Sequence, residues 1–256
     1  MFRALFRALL LAGGLAVASL ALSACSDVRG KDEAFGKRVR AYLLEHPEVL
    51  EEAIVRLDQK RAEAGVATQV KALATNRAAL ERDRRDPVLG NPNGAVTVVE
   101  FFDYRCGYCK SIAPQVLAML DSEKDVRFVF KELPILPDAN GRIGVSERAA
   151  RLALAAHAKG RYREVHRDLM AQKALDDAGI QRVARNLGLD PVALARAGAT
   201  PAAADHLSDN QELARALGIQ GTPAFVIGDQ VVPSADPDAL RAAIAAARQK
   251  AAPKAA

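Results

Sequence analysis

The sequence predicts an α/β domain over residues 87–256, preceded by an all-helical segment over residues 34–86. Short runs rich in β-branched and aromatic residues, which favour strands, alternate in the domain with longer alanine-rich stretches, which favour helices. The order is strand, helix, strand, a long helical stretch, two short strands and a final helix. This order is typical of an α/β domain.

The composition excludes several classes of protein. Half of the 256 residues are hydrophobic and 5% are aromatic, which excludes wholesale disorder, collagen-like repeats and a disulfide-dense mini-protein. The 36 Lys and Arg exceed the 31 Asp and Glu only slightly, so nucleic acid is not an expected partner. The three cysteines, Cys25, Cys106 and Cys109, suffice for one redox or metal pair and one odd cysteine.

The N-terminus has the features of a bacterial export signal. Two arginines precede an uncharged run over residues 8–22, which is shorter than a membrane-spanning helix. The run ends in Leu22-Ser23-Ala24-Cys25, which resembles the box at which lipoproteins are cleaved and acylated. We therefore expect a signal peptide over residues 1–24 and a lipidated Cys25 that begins a tether over residues 25–33. Ordinary signal cleavage and a retained N-terminal anchor are the alternatives.

Export to the periplasm fits the remaining cysteines, because thiol pairs in an oxidising compartment indicate disulfide chemistry. The lipoprotein box favours an anchor on the outer membrane, and the alternative is a soluble periplasmic protein.

The segment over residues 34–86 has a helical pattern with a narrow apolar stripe. Gly65 predicts a break, after which residues recur at coiled-coil spacing. The stripe is too narrow to form a core, so we expect the segment to pack on the next domain or on copies of itself. The recurring residues are Val66, Val70, Leu73, Arg77 and Leu80.

Turn-forming residues between Asp86 and Gly94 predict the start of the second domain. Strands are predicted over 96–102, 126–130, 224–227 and 230–232, helices over 109–120 and 236–250, and a mainly helical stretch over 146–217.

The main chemical signal is Cys106-Gly107-Tyr108-Cys109, between a predicted strand and a helix. A thiolate is the attacking species in disulfide exchange, and the start of a helix offers unpaired N–H groups that stabilise it. Cys106 is therefore the predicted attacking thiol. Cys109, one helical turn on, is the predicted resolving thiol.

Metal binding and a structural disulfide are the alternatives for this pair. A closed zinc site needs four ligands, and the sequence has no second cysteine pair and no histidines at ligand spacing. A bridge across one helical turn would stabilise the fold little. Cu(I) binding remains open, because soft thiolates suit this ion, although no methionine adjoins the pair. We expect neither a resident metal nor a cofactor. The histidines are His46, His157, His166 and His206.

Residues 98–110 resemble the active-site strand and helix start of DsbA-like proteins in the thioredoxin superfamily. Gly221-Thr222-Pro223 resembles the cis-proline loop of the same superfamily. The resemblance implies a thioredoxin-like fold with a helical insertion over about residues 140–217. It also implies that Gly107, Tyr108, Thr222 and Pro223 bind the substrate polypeptide.

Glu100 lies where the same family carries a buried acidic residue behind the cysteines. The resemblance implies that this carboxyl relays a proton to or from Cys109. The alternative is a paired polar residue in a strand, and Lys131 is the residue we expect to pair with Glu100.

Residues 42–50, ahead of a DsbA-like domain, resemble the suppressor-of-copper-sensitivity C (ScsC) group. This resemblance implies a homotrimer formed by N-terminal helices and a disulfide isomerase or reductase activity on cysteine-containing exported proteins, with a membrane protein as redox partner. The alternatives are a dithiol oxidase of the DsbA type and a Cu(I)-binding copper-tolerance protein.

Overall fold

The computed structural model describes residues 33–138, 140–141 and 144–251. The predicted signal peptide and Cys25 lie outside these ranges. The chain divides into two compact units, one ending at Gly65 and the other beginning at Val66. Within the described ranges, no helix combines the length and the apolar character needed to cross a membrane.

The described part of the first unit comprises helix α1, over residues 33–45, and the beginning of helix α2, Glu48–Thr75. The predicted break at Gly65 is wrong, because α2 continues through it. A single glycine costs a helix only about 1 kcal/mol relative to alanine, and the neighbouring residues of α2 are good helix formers. Several large apolar residues of this unit are exposed: Phe35, Val39, Tyr42, Leu44, Leu50, Ile54, Val55 and Leu57.

The second unit contains a five-stranded sheet in the order β1-β3-β2-β4-β5. β2 and β3 are parallel, and the other neighbours are antiparallel. The sequence did not predict β1, which is three residues long and lies in a turn-rich stretch. The strands are β1 Val88–Gly90, β2 Val96–Phe102, β3 Val126–Glu132, β4 Ala224–Ile227 and β5 Gln230–Val232.

Helices connect and cover these strands. Five of them lie between β3 and β4, where the sequence predicted a helical insertion, and two of the breaks fall at Gly160 and Gly188, whose φ angles are 69° and 70°. The helices after α2 are α3 Arg77–Glu81, α4 Gly107–Ser122, α5 Gly144–His157, α6 Tyr162–Met170, α7 Asp177–Asn186, α8 Pro191–Gly198, α9 Pro201–Ala216 and α10 Pro237–Ala251.

The sheet buries a separate apolar cluster on each face. On one face, α4, α10 and helices of the insertion pack on side chains such as Phe102 and Phe130. On the other face, Leu73 and Leu80 pack with residues of α9 on side chains such as Phe101.

Leu73 and Leu80 are two of the residues that recur at coiled-coil spacing, for which the sequence left self-association open. In the structure they complete the core of the second unit. The compact second unit begins at Val66, whereas the sequence predicted the start of the second domain after residue 86.

Candidate active site

Cys106 is the N-cap residue of α4, the helix that follows the central strand β2. Its backbone is extended, with φ −69° and ψ 120°, and its Sγ accepts a hydrogen bond from the main-chain N–H of Cys109 at 3.3 Å. This arrangement places the sulfur at the positive end of the helix. The helix begins at Gly107, two residues before the predicted start, because the cysteine side chain serves as the cap.

The chain returns to Cys106 at Thr222 and Pro223, just before β4. The Thr222–Pro223 peptide bond is cis. The Cys106 thiol donates a hydrogen bond to the main-chain carbonyl of Thr222, with 3.1 Å between the sulfur and the oxygen. The structure thus brings together Cys106, Cys109, Thr222 and Pro223, which sequence reasoning placed in one site.

The two thiols have opposite electrostatic environments. The pKa of Cys106 is lowered from 9.0 to about 6, first by a hydrogen bond from the Cys109 thiol. Hydrogen bonds from the Thr222 hydroxyl and from nearby main-chain N–H groups add to this effect, and together they outweigh the partial burial of the thiol. Burial raises the pKa of Cys109 far above its ordinary value. At neutral pH, Cys106 is therefore a thiolate and Cys109 holds its proton.

Gly107 and Tyr108 separate the cysteines on the outer turn of the helix. Tyr108 is 73% exposed, and a Cβ added at Gly107 would meet no described atom within 4 Å. Neither residue fills space inside the protein. Both are accessible to a polypeptide that approaches the Cys106 sulfur.

Glu100 is fully buried in β2. Its pKa is raised to about 8, mainly by burial and secondly by the negative charge of the Cys106 thiolate. Within the described part of the chain, neither carboxyl oxygen has a hydrogen-bond partner. The carboxyl is therefore electrostatically coupled to the reactive thiol and is protonated at neutral pH.

The expected pairing of Lys131 with Glu100 is wrong. Glu100 lies opposite Phe130 in the parallel register, whereas Lys131 lies opposite Phe101. Because side chains alternate between the faces of a sheet, Glu100 and Lys131 point to opposite faces. Lys131 instead contacts Asp86, with 2.5 Å between Nζ and Oδ2.

A cluster on the same face as Lys131 also escaped sequence reasoning. Asp83, Asp86 and His206 each offer one potential metal ligand, and these atoms lie within 4.8 Å of one another. His206 Nε2 lies 2.8 Å from Asp86 Oδ1, and Lys131 already compensates the charge of Asp86. The residues fit an ion-paired cluster better than a metal centre.

Two further polar residues next to the cysteines were missed. Asp103 is buried, and its carboxylate accepts four hydrogen bonds, three of them from main-chain N–H groups. Lys110 donates from Nζ to the main-chain carbonyl of Gln172, in the insertion, at 2.6 Å. An Asp in a turn just before a helix was a local signal for Asp103. Its other partners are distant in the sequence.

Two family models match the chain. The model described as the DSBA-like thioredoxin domain matches residues 97–245, more than half of the chain. The chain belongs to this family. The model described as the copper resistance protein ScsC N-terminal domain matches residues 33–64, so the DSBA-like domain follows an N-terminal domain of the ScsC type.

Solved structures share this fold over most of their length. A thioredoxin-like oxidoreductase from Silicibacter pomeroyi is 41% identical, with a TM-score of 0.63 over 68% of this chain and 98% of that one. ScsC from Proteus mirabilis in a compact conformation is 33% identical, with a TM-score of 0.63 over 84% and 97%. BcfH from Salmonella enterica Typhimurium is 31% identical, with a TM-score of 0.72 over 88% and 99%. The DSBA-like domain thus has the fold of thioredoxin-like thiol–disulfide oxidoreductases.

Curated relatives match a smaller part of larger proteins. The Na(+)/H(+) antiporter NhaA 3 of Salinispora tropica is 33% identical over 144 residues, which are 56% of this chain and 22% of that protein. NhaA 1 of Salinispora arenicola is 32% identical over 165 residues, which are 25% of its length. The chain therefore spans a quarter or less of the curated relatives it matches.

Proposed function

We propose that this protein is an exported thiol–disulfide oxidoreductase that reduces and isomerises disulfide bonds in other exported proteins. The observation that carries the proposal is the pairing of two thiols with opposite pKa shifts: Cys106 is lowered to about 6, and the adjacent Cys109 is raised by burial. A thiolate at the start of a helix, beside a protonated partner thiol, is what a cycle of attack and release requires.

The reaction begins at Cys106. Its thiolate attacks one sulfur of a substrate disulfide, a new S–S bond joins Cys106 to the substrate, and the other substrate sulfur leaves as a thiolate. In isomerisation, a substrate thiolate then attacks the mixed disulfide and releases Cys106 in its reduced form. In reduction, Cys109 loses its proton, attacks the Cys106 sulfur and releases the second substrate thiolate, which leaves an internal disulfide.

Glu100 is the base that this second attack requires. While Cys106 is a thiolate, its charge helps to hold the proton on Glu100. Formation of the mixed disulfide removes that charge. The pKa of Glu100 then falls towards the value that burial alone sets. The carboxyl therefore gives up its own proton more readily and can take that of Cys109 at the step where the proton must leave.

Export and the periplasm are part of the proposal. A periplasmic thioredoxin-like protein from Salmonella enterica serovar Typhimurium is 31% identical to this chain, and the sequence begins with features of an export signal. We propose that Cys25 is acylated and anchors the protein to the outer membrane. Mass spectrometry of the protein from its native membrane tests this: a diacylated or triacylated Cys25 is expected, and an unmodified N-terminus at another residue contradicts it.

We further propose a homotrimer formed by the first unit. This unit exposes a series of large apolar side chains, such as Phe35 and Ile54, which are 60% and 58% accessible. Burial of such surface between copies stabilises an assembly by about 25 cal/mol per Å². A trimer would present several Cys106 thiolates to one misfolded substrate.

A dithiol oxidase of the DsbA type is the second candidate. A low pKa of the attacking thiol stabilises the reduced protein and makes the disulfide form more oxidising. The thiol–disulfide exchange protein α-DsbA2 of Wolbachia pipientis is 26% identical to this chain, with a TM-score of 0.63. In the oxidase, a membrane partner would keep the pair as a disulfide, whereas in the isomerase it would keep the pair reduced.

One experiment separates the two directions. The full chain is added to a substrate with scrambled disulfides and, in parallel, its oxidised form is added to the same substrate with reduced thiols. The proposal expects faster recovery of native substrate in the first assay, with the Cys106→Ser variant inactive in both. Activity in the second assay alone would favour the oxidase, and activity in neither would contradict both. A parallel Cu(I) titration with a competing chelator examines the copper-binding alternative.

A further inference from the structure

Asp103 is a buried carboxylate that joins three parts of the second unit. It is 2% exposed and lies in the turn between β2 and α4. Oδ1 accepts hydrogen bonds from the N–H of Arg105 at 2.7 Å and the hydroxyl of Ser146 at 2.8 Å. Oδ2 accepts from the N–H groups of Ile135 and Leu136 at 2.9 and 3.0 Å.

These four donors match an ionised carboxylate. A carboxylate accepts at about four lone-pair positions and donates at none, so each oxygen of Asp103 is satisfied twice. The donors come from the turn between β2 and α4, from the loop after β3 and from α5, the first helix of the insertion. An amide in the same place would keep one accepting oxygen and would direct its own N–H groups at two donors.

The main chain of Asp103 contacts both cysteines. Its carbonyl accepts a hydrogen bond from the N–H of Cys106 at 3.0 Å. Its main-chain N–H is also directed at the Cys109 sulfur, where it favours the thiolate. The side chain that fixes Asp103 therefore fixes the backbone on which both sulfurs depend.

Arg105 strengthens the same junction from the other side of the turn. Its Nη1 lies 2.5 Å from the carbonyl of Pro137 and 3.4 Å from that of Leu136. The Ser146 hydroxyl also lies 3.2 Å from the Leu136 carbonyl. The turn between β2 and α4 and the loop after β3 are thus held together by the Arg105 side chain as well as by that of Asp103.

We infer that Asp103 is a positioning residue for disulfide exchange: its carboxylate holds the turn before α4 in the geometry that places the Cys106 sulfur at the helix start and against Thr222. The inference rests on the proposed function, since it assigns Asp103 a part in the same reaction. Asp103 touches neither the substrate nor the reacting sulfurs with its side chain, and it acts through the backbone that it holds.

A positioning role and simple charge repulsion predict opposite shifts in the pKa of Cys106 when the Asp103 carboxylate is removed. If the carboxylate acted only as a nearby negative charge, its removal would stabilise the thiolate and lower the pKa of Cys106. If it acts by position, its removal loosens the turn, weakens the hydrogen bonds to the Cys106 sulfur and raises that pKa. The sign of the shift therefore distinguishes the two.

The test uses full-length Asp103→Asn and Ser146→Ala variants. Ser146→Ala removes one of the four hydrogen bonds without changing any charge, and it keeps the test decisive if Asp103→Asn fails to fold. Asp190→Asn is the matched control, because Asp190 also accepts main-chain N–H groups but caps α8 on the surface. The readouts are thiolate absorbance against pH, the equilibrium with glutathione and the midpoint of urea unfolding.

We expect Asp103→Asn to raise the pKa of Cys106 by about one unit and to shift the glutathione equilibrium towards the disulfide form of the protein. Ser146→Ala should shift both in the same direction by less, and Asp190→Asn should match the unchanged protein. A lower unfolding midpoint with an unaltered pKa and glutathione equilibrium would overturn the inference, and so would a lowered pKa. If the unchanged protein does not exchange with glutathione at all, the proposed function itself fails.

Discussion

Glu100 and Cys106 are two buried acids whose charges influence each other. Both make the stability of the folded protein depend on pH. The folded protein holds the Glu100 proton up to about pH 8, whereas an unfolded chain releases it near the ordinary glutamate pKa of 4.5. A folded-state pKa above the unfolded one means that this carboxyl favours folding least at high pH. The Cys106 thiol, whose pKa is lowered to about 6 from 9.0, acts in the opposite sense, because its contribution grows as pH rises.

The first prediction concerns Glu100→Gln. Between pH 4.5 and 8, the Glu100 carboxyl should lower the free energy of unfolding by about 1.4 kcal/mol per pH unit, and glutamine should abolish this term. The stability difference between the variant and the unchanged protein should therefore grow with pH and level off above pH 8. Urea unfolding at several pH values measures it, with the exposed Glu212→Gln as control. A difference independent of pH would contradict the account.

The second prediction concerns Thr222. Thr222→Val removes a hydroxyl that helps to lower the pKa of Cys106, and Thr222→Ser retains one. We expect valine to raise the pKa by about one unit, because a hydrogen bond to a charged group contributes about 1.5 kcal/mol or more. Serine should keep the pKa near that of the unchanged protein. Alkylation rates of the reduced proteins against pH measure it, and equal values for valine and serine would argue against a role for the hydroxyl.

At the scale of single residues, the sequence predicted the features that depend on local pattern. It did not predict the pairing of side chains that are distant in sequence. The cysteine spacing and the helix start predicted the positions of Cys106 and Cys109, because both depend on residues close in sequence. The partner of Lys131 could not be predicted without the register of β2 on β3, which decides the face to which it points. The four hydrogen bonds that the Asp103 carboxylate accepts likewise depend on residues up to 43 positions away in the sequence.

At the scale of elements, a buried ionic cluster holds α3 against the sheet. Lys131 Nζ donates to the carbonyl of Ala79 in α3 at 2.7 Å and contacts Asp86, which also binds His206 in α9. Both side chains of the Lys131–Asp86 pair are almost completely inaccessible. Removal of one member would leave an uncompensated charge in the core.

The third prediction follows from this cluster. Asp86→Asn should destabilise the protein by about 3–5 kcal/mol, whereas the double variant Asp86→Asn with Lys131→Met should recover much of the loss because no charge remains unpaired. Asp177→Asn, which breaks the exposed pair with Arg148, should cost about 1 kcal/mol or less. Urea unfolding measures all three. A double variant no more stable than Asp86→Asn would contradict the reading of the cluster.

The elements that the sequence predicted well are those with a strong local pattern. β2 coincides with the predicted strand because six of its seven positions are apolar or β-branched and turns bound the run. β1 has only three residues and owes its strand conformation to pairing with β3, which no local pattern reveals. The break predicted at Gly65 was wrong for a different reason: a helix tolerates one glycine when its neighbours are good helix formers.

At the scale of the whole molecule, the unit boundary decides how the assembly can be tested. A deletion to residue 86 would remove Leu73 and Leu80 from the core of the second unit and would confuse loss of assembly with loss of folding. A chain that begins at Val66 keeps the compact second unit. The sequence predicted helices over residues 34–86, and the last of them ends at Glu81. The packing of Leu73 and Leu80 on the sheet depends on tertiary contacts that the local pattern does not show.

The fourth prediction compares the full chain with the chain that begins at Val66. Light scattering should show a trimer for the first and a monomer for the second. The shorter chain should keep reduction of small disulfides but lose most isomerisation of a scrambled substrate. In the full chain, Ile54→Asp should weaken the trimer and Gln59→Asp, a polar control in the same helix, should not. A monomeric full chain at micromolar concentration would contradict the trimer and favour the oxidase.

The central claim is that Cys106 attacks a substrate disulfide and Cys109 resolves the product, and trapping the intermediate tests it most directly. In a Cys25→Ser background, the Cys109→Ser variant is mixed with a disulfide-containing protein substrate and separated without reductant. We expect a stable 1:1 mixed disulfide at Cys106, identified by mass spectrometry. The matched Cys106→Ser variant should form none. Trapping at Cys109 instead, or equal trapping by both variants, would contradict the account.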